Sequence, residues 1–334
     1  MPAPAPFIKS VSSPEINCAI IQFSRGTIIS LQRAAEMDSQ RTIAITAPLG
    51  NIGQLLLGQL LDAGVNVRAM SKNPLKLACS PNLRKIAGCI HDPADIRRLV
   101  EGADTLFWAI PPDFQSPDVL DWYRRAGDAA AEALQGSGIR RIVYLSSLGA
   151  ELGSETGLVY GHHLVEERLN GLAADVLHLR SAYFMENFLT CLMSIGEQKR
   201  ICRPVSGSRS FPMVSTSDVA SIAAASLLDT DWHGQLTLEI HGPCDMSLDE
   251  AVGILADELG MELSYEQQDG AHCLEHLTQI GMGDSMAGLL VRTYEWIEQG
   301  TPDYASRRDP LQTWQHDFRS FVKSTFAPIF SSLS

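Results

Sequence analysis

The hydrophobic pattern is clearest between Arg41 and Lys72, RTIAITAPLGNIGQLLLGQLLDAGVNVRAMSK. Thr42–Thr46 is a short β-branched run that reads as a buried strand. The turn Ala47-Pro48-Leu49-Gly50-Asn51-Ile52-Gly53 leads into an apolar helix from Ile52 to Ala63, stopped by Gly64. Val65–Met70 makes a second strand. A short helix opens at Asn73-Pro74 and breaks at Pro81, and Ala87–His91 reads as a third strand. Asp92-Pro93 supplies an N-cap and a first-position proline for a helix to Val100. Asp104–Ile110 is a fourth strand, Pro117–Gln135 a long amphipathic helix and Arg140–Ser146 a fifth strand. Strands alternating with helices predict an α/β fold, a doubly wound parallel sheet covered on both faces.

Beyond Ser147 the rhythm loosens. Leu148–Val159 is a glycine-rich loop, Tyr160 to Leu172 a helix, Asp175–Arg180 a strand and Phe184–Ile195 a helix. Lys199–Pro212 reads as irregular; Ser217-Asp218 caps a helix over Val219–Leu228, and Gln235–His241 is a strand. Ser247-Leu-Asp-Glu250 is a capping box for a helix to Leu259, and Met261–Gln267 alternates like a half-exposed strand. The expected organisation is a poorly ordered extension (1–36), then a Rossmann domain (37–190) to which 212–241 returns. Residues 191–211 and 242–334 make a smaller C-terminal α+β substrate-binding lobe.

With 334 residues, 45% hydrophobic and 19% charged, the chain has the composition of a soluble globular protein. A net charge of −13 without a basic block argues against a nucleic-acid partner. Seven scattered cysteines with no C-x-x-C pair fit reduced thiols in the cytoplasm, with neither a disulfide framework nor a zinc site. No apolar run reaches the length of a membrane span. The first forty residues lack the basic and continuous apolar regions of a secretory signal, and Met37 resembles a natural start. His272 and His276 share a helix face, but the glutamate is Glu275 rather than a neighbour of the first histidine, so no metal is expected.

Strand, glycine turn, helix and strand are the context a dinucleotide fingerprint requires. Thr46, Ala47, Leu49, Gly50, Asn51, Ile52 and Gly53 are the expected cradle for a pyrophosphate at the helix start. Ala47 stands where a G-x-x-G-x-x-G turn has its first glycine, at a cost of about 1 kcal/mol if the backbone needs positive φ. The second strand ends in Arg68-Ala-Met-Ser-Lys72 with no acid, which favours NADP(H) over NAD(H). Ser71 and Lys72 would meet the 2′-phosphate, with Arg68 helping. Ile110, Pro111 and Pro112 end the fourth strand and Ser146 and Ser147 the fifth, so they should flank the nicotinamide. The two serines read equally well as turn residues that satisfy the backbone.

Five segments in order make the chain resemble the NmrA-like branch of the atypical short-chain dehydrogenase/reductases, over Thr42 to Phe326. They are Gly50-x-x-Gly53, Val143-Tyr-Leu-Ser-Ser-Leu-Gly149, Gly161-His-His-Leu-Val-Glu-Glu-Arg-Leu169, Leu179-Arg-Ser-Ala-Tyr-Phe-Met-Glu-Asn187 and Phe211-Pro-Met-Val-Ser-Thr-Ser-Asp218. The resemblance implies a Rossmann protein binding NADP(H), in a group whose members reduce quinones, enol ethers or imines or only sense cofactor redox state. Tyr160 is followed four places on by Leu164, so the Tyr-x-x-x-Lys pair is missing. His162 stands where related reductases carry a lysine, and so becomes the candidate general acid or ribose ligand, with Ser147 and Tyr160 beside it and Glu166 one turn on to hold its ring. His163 lies about 100° round the helix. Tyr183, Phe184, Met185 and Asn187 would line a small, largely hydrophobic substrate. The expected function is reduction by NADPH of a small unsaturated, carbonyl, quinone or imine compound. A redox sensor with a protein partner, which Ala47 and the missing lysine favour, and a non-redox enzyme of cyclase type are the alternatives.

Overall fold

The computed structural model describes residues 41–310 and 312–333; the expected extension (1–36) lies outside the described residues. The chain opens with β1 (Thr42–Ile45), α1 (Asn51–Asp62) and β2 (Asn66–Ser71), then β3 (Leu83–Ala87), α2 (Pro93–Val100) and β4 (Thr105–Trp108). It continues through α3 (Val119–Leu134), β5 (Arg141–Ser147), α4 (Tyr160–Asn170) and β6 (Asp175–Ser181). After an excursion it returns with α6 (Thr216–Leu228) and β10 (Gln235–Ile240). These strands form one parallel seven-stranded sheet in the order β10-β6-β5-β4-β1-β2-β3. The order reverses between β1 and β4, so the crevice beyond their C-terminal ends is where such a sheet binds ligands.

Strand alternation divides the core. Ile43 and Ile45 face the layer of α1 and α6, while Ala44 faces the layer that includes α2, α3 and α4. Leu56 and Leu60, one turn apart on α1, are fully buried against the first layer. Truncating either to alanine would cost about 2–5 kcal/mol.

A third core belongs to the excursion and the C-terminal region, gathering Phe188, Ile195, Phe211, Leu255, Phe318 and Phe326 among others. Here the sequence reading needs correction. Phe184–Ile195 is not one helix: it is a two-residue strand β7 (Tyr183–Phe184), a 3₁₀ segment (Met185–Cys191) and then α5 (Leu192–Gln198). Lys199–Pro212 holds β8 (Arg200–Arg203) and opens β9 (Ser210–Val214). β9 pairs with β7 and with β11 (Asp245–Ser247), so the return to the main sheet begins at α6, not at Pro212. The third strand is Leu83–Ala87, four residues ahead of its expected start, on the sheet's outer edge. After β11 come α7 (Leu248–Leu259), β12 (Ser264–Gln267), which pairs with β8, and α8 (Gly270–Gln279). Then follow α9 (Asp284–Gln299), α10 (Tyr304–Arg307), α11 (Phe318–Phe321) and α12 (Ala327–Leu333). The capping box at Ser247 and Glu250 is formed in both directions.

Among the described residues no helix is long and apolar enough to cross a membrane, and no three metal-capable side chains gather. His272 is engaged by Asp269, the N-cap of α8.

Candidate functional site

The turn after β1 has the geometry of an anion cradle. Ala47 adopts φ 51°, the left-handed conformation that glycine tolerates without penalty, so the missing glycine leaves real backbone strain. A β-carbon on Gly53 would lie 2.0 Å from the Ala47 carbonyl oxygen, which makes glycine obligatory where the helix start meets the turn. Gly50 caps α1 with no side-chain hydrogen bond, and Leu49, Gly50 and Asn51 are exposed, so the first N–H groups of the helix face outward uncapped. Ile52 is buried on the sheet side. Thr46 does not join the cradle: it is fully buried, donating to the Ala109 carbonyl and accepting from the Ala109 N–H, both at 2.8 Å. Its role is to tie β1 to β4.

At the end of β2, Ser71 Oγ accepts from the Asn73 N–H at 3.1 Å, and its hydroxyl proton is left to donate outward. Lys72 is exposed, with Nζ 5.5 Å from the centre of the Trp122 ring. The indole holds it, at about 0.5–1 kcal/mol for an exposed site. Trp122 is itself fixed by donation from Nε1 to the Pro111 carbonyl. Arg68 is withdrawn. Strand alternation turns it to the helical layer, where it donates to the carbonyls of Leu99 and Arg98 at the end of α2. Pro111 and Pro112 are exposed beyond β4, and Ile110 is buried.

The end of β5 separates its two serines. Ser146 is buried and donates to Glu166, whereas Ser147 is half-buried and donates to the Leu148 carbonyl. Glu166 does not hold His162 as expected; it accepts from Ser146 and from Arg180 of β6. His162 turns inward. Its Nδ1 lies 2.9 Å from the Tyr144 hydroxyl and its ring sits 5.0 Å from that of Tyr123. Burial lowers its pKa to about 4, against a smaller opposing effect of Glu166, so the ring is neutral at pH 7. That arrangement suits positioning of β5 against α4 and leaves the proton of the neutral ring on Nε2 when the Tyr144 hydroxyl donates to Nδ1. Tyr160 stacks on His163 at 5.3 Å, and His163 Nδ1 is 2.9 Å from the Ala150 carbonyl.

The aromatic segment after β6 is split between two cores. Met185 and Phe188 are buried in the third core, which Tyr183 also joins, edge-on to Phe188 and Phe211. Phe184 packs on the first core, and Asn187 is half-buried within the 3₁₀ segment. Sequence reasoning passed over Glu186, whose carboxylate accepts from the Thr216 N–H and hydroxyl and anchors the start of α6. It also missed the role of α9, which latches the loops beside Pro112 and Ser147. Gly283 N–H donates to the Phe114 carbonyl at 2.8 Å, and Leu158 N–H to Thr293 Oγ1 at 2.9 Å. A cavity of about 340 Å³ lined by Glu155, Arg292, Glu295 and Trp296 lies along that seam, not at the glycine turn.

The NAD(P)H-binding family model matches residues 49–230, more than half of the chain. Prestalk A differentiation protein A of Dictyostelium discoideum is 23% identical over 299 residues, covering 86% of this chain and 94% of that protein. The NADPH-dependent quinone oxidoreductase QOR2 of Escherichia coli, solved with NADPH, superposes with a TM-score of 0.66 at 20% identity, over 87% of this chain and 99% of its own. NmrA, a negative transcriptional regulator solved with NADP, superposes with a TM-score of 0.69 at 15% identity, over 89% of this chain and 98% of its own. The chain belongs to the NAD(P)H-binding family and has the Rossmann fold of the NmrA-like, atypical short-chain dehydrogenase/reductase proteins.

Proposed function

We propose that the chain is an NADPH-dependent reductase of a small, largely hydrophobic carbonyl, quinone, imine or unsaturated compound. The observation that carries this reading is the placement, at one edge of the sheet, of an uncapped glycine turn and the aromatic segment after β6. The residues fit the cofactor: Gly53 leaves the space a β-carbon would fill, and the N–H groups at the start of α1 receive the pyrophosphate. Ser71 and Lys72 hold the 2′-phosphate, and the absence of an acid at the end of β2 removes the group that would repel it. The reduced nicotinamide supplies a hydride. Pro111, Pro112 and Ser147 border the ring, Tyr160 stands at the entrance of α4, and Tyr183, Phe184 and Asn187 bound the substrate. His162 braces Tyr144 through Nδ1, and its Nε2 is the ring atom left to meet the substrate oxygen.

A second reading, a redox sensor that binds NADP(H) and a protein partner without turnover, is favoured by one observation: the histidine in the lysine position is bonded to Tyr144 and uncharged at pH 7. A panel of quinones, enones, ketones and cyclic imines, run with NADPH carrying deuterium at C4, separates the two. Deuterium in a product supports the reductase. Silence across the panel with tight, redox-dependent binding supports the sensor.

A further inference from the structure

Several buried polar atoms without a hydrogen-bond partner gather where α10 crosses the end of the sheet. They are the Tyr304 hydroxyl, His241 Nδ1 and Gln312 Oε1. Tyr304 is 2% exposed and His241 1%, and their rings lie 5.8 Å apart. His241 Nε2 lies 3.1 Å from Glu239 Oε2 and, against burial, helps hold that carboxyl below its usual range, so Nδ1 is the ring nitrogen left without a partner. His241 directly follows β10, and the next residue, Gly242, packs so closely that a β-carbon would lie 1.9 Å from the Met213 carbonyl oxygen. The place is therefore rigidly set.

It is also at the functional edge. Glu151, on the loop after β5, and Arg180, near the end of β6, both act electrostatically on the Tyr304 hydroxyl. The charged neighbours are already paired. Arg307 binds Glu239 at 3.0 Å, Arg180 binds Glu151 at 3.0 Å and Glu166 at 2.7 Å, and Arg308 binds Asp245 at 2.5 Å. These arginines already have carboxylate partners, while the Tyr304 hydroxyl, His241 Nδ1 and Gln312 Oε1 have none. Buried groups of that kind destabilise a fold unless something satisfies them.

We propose that Tyr304 and His241 form the polar end of the substrate pocket, where they receive the oxygen of an uncharged ketone or aldehyde and disfavour a carboxylate. The inference deepens the reductase reading and rests on it for the fate of that oxygen. Burial above all, with Glu151 and Glu239 adding to it, pushes the Tyr304 hydroxyl well up, so it stays protonated as a donor. Access requires α10, a four-residue helix, to shift against the pairs of Arg307 with Glu239 and Glu151 and of Arg308 with Asp245 and the Gly242 carbonyl. Arg307 is 44% exposed, and exposed pairs of this type hold weakly.

The test uses the full chain and a matched pair of probes, 2-acetylnaphthalene and 2-naphthoate, in calorimetric titrations without cofactor. The ketone should bind at least about tenfold more tightly than the carboxylate. Tyr304→Phe and, separately, His241→Gln should weaken the ketone by about three- to tenfold, the loss of one neutral hydrogen bond. NADPH affinity should be unchanged, and Tyr304→Phe should not lower the melting temperature, since it removes only an unpaired hydroxyl. Equal binding of the two probes, no binding of the ketone, or a ketone affinity indifferent to Tyr304→Phe would overturn the proposal. A ketone bound in a Tyr304-dependent way but never reduced with NADPH keeps the subsite and rejects the reductase. A ketone reduced with the same KM by the parent and Tyr304→Phe does the reverse.

Discussion

Glu166 and Arg180 form a two-bonded ion pair beneath the functional edge: Arg180 Nε and Nη2 donate to the carboxylate at 3.0 and 2.7 Å. Glu166 is 5% exposed. Burial alone would raise its pKa, but hydrogen bonds from Arg180 and Ser146 and the charges of Arg180 and His178 outweigh it, and the net shift is downward. The pair joins α4 to β5 and β6, so the end of β5 that bears Ser147 rests on it.

Removing one partner should therefore be far worse than removing both. Arg180→Met leaves a buried carboxylate without its cation and should cost about 3–5 kcal/mol in urea unfolding. The double variant Glu166→Leu, Arg180→Met should recover most of that loss. If the single variant costs less than about 1 kcal/mol, the pair is as weak as a solvated one.

Acid should unfold this protein earlier than carboxylate titration alone would. His162 and His178 are both held near pKa 4 by burial, against an ordinary value of 6.5. Between those values the unfolded chain binds protons that the folded chain refuses, so stability falls as pH falls from 6.5 to 4. Each histidine contributes a slope of up to about 1.4 kcal/mol per pH unit. Glu166 acts in the same direction at lower pH, because a depressed carboxylate loses its stabilisation as pH drops through its folded pKa. Melting temperatures measured from pH 7 to 4 should decline steadily, and His178→Asn should flatten the decline. A profile that stays level down to pH 5 would contradict it.

The glycine turn offers a paired test. Gly53→Ala places a methyl 2.0 Å from a backbone oxygen and should weaken NADPH binding by about a hundredfold or more, or unfold the turn outright. Ala47→Gly relieves the strain at φ 51° but frees the unfolded chain, so its net effect on stability should stay within about 1 kcal/mol. Its cofactor affinity should rise, not fall. Fluorescence titration with NADPH reads both.

The sheet was legible because its strands are buried on both faces, so β1 and β4 read as unbroken apolar runs bounded by glycine and proline. β3 was misplaced because an edge strand is less covered, and its pattern Leu-Arg-Lys-Ile-Ala looks like surface. β8 and β9 were missed for a different reason. Arg-Ile-Cys-Arg has no period of its own and becomes a strand only by pairing with β12, more than sixty residues on. Ser217-Asp218 was read as the cap of α6, but Ser215 caps it, and Asp218 instead accepts from Gln315 and His316. The candidate site was legible where chemistry is local, as at Gly50 to Gly53. It was not where a side chain's direction depends on partners from other elements: Tyr123 and Tyr144 draw His162 inward, and α2 claims Arg68.

The cofactor preference turns on Lys72. The chain should bind NADPH more tightly than NADH, because Ser71 and Lys72 end β2 without a carboxylate to hold two ribose hydroxyls. Lys72 rests 5.5 Å above the Trp122 ring, and leaving it costs about 0.5–1 kcal/mol, less than a charged contact with a phosphate returns. Lys72→Glu should therefore remove about 1.5–3 kcal/mol from NADPH binding, roughly ten- to a hundredfold, and leave NADH nearly unchanged. Trp122→Leu is the informative companion. It frees the ammonium, so NADPH affinity should rise by up to about fivefold while NADH stays level. Two outcomes would overturn the assignment: equal affinity of the parent protein for both cofactors, or a Lys72→Glu variant that weakens NADH as much as NADPH. In the second case the lysine would be serving the turn, not the 2′-phosphate.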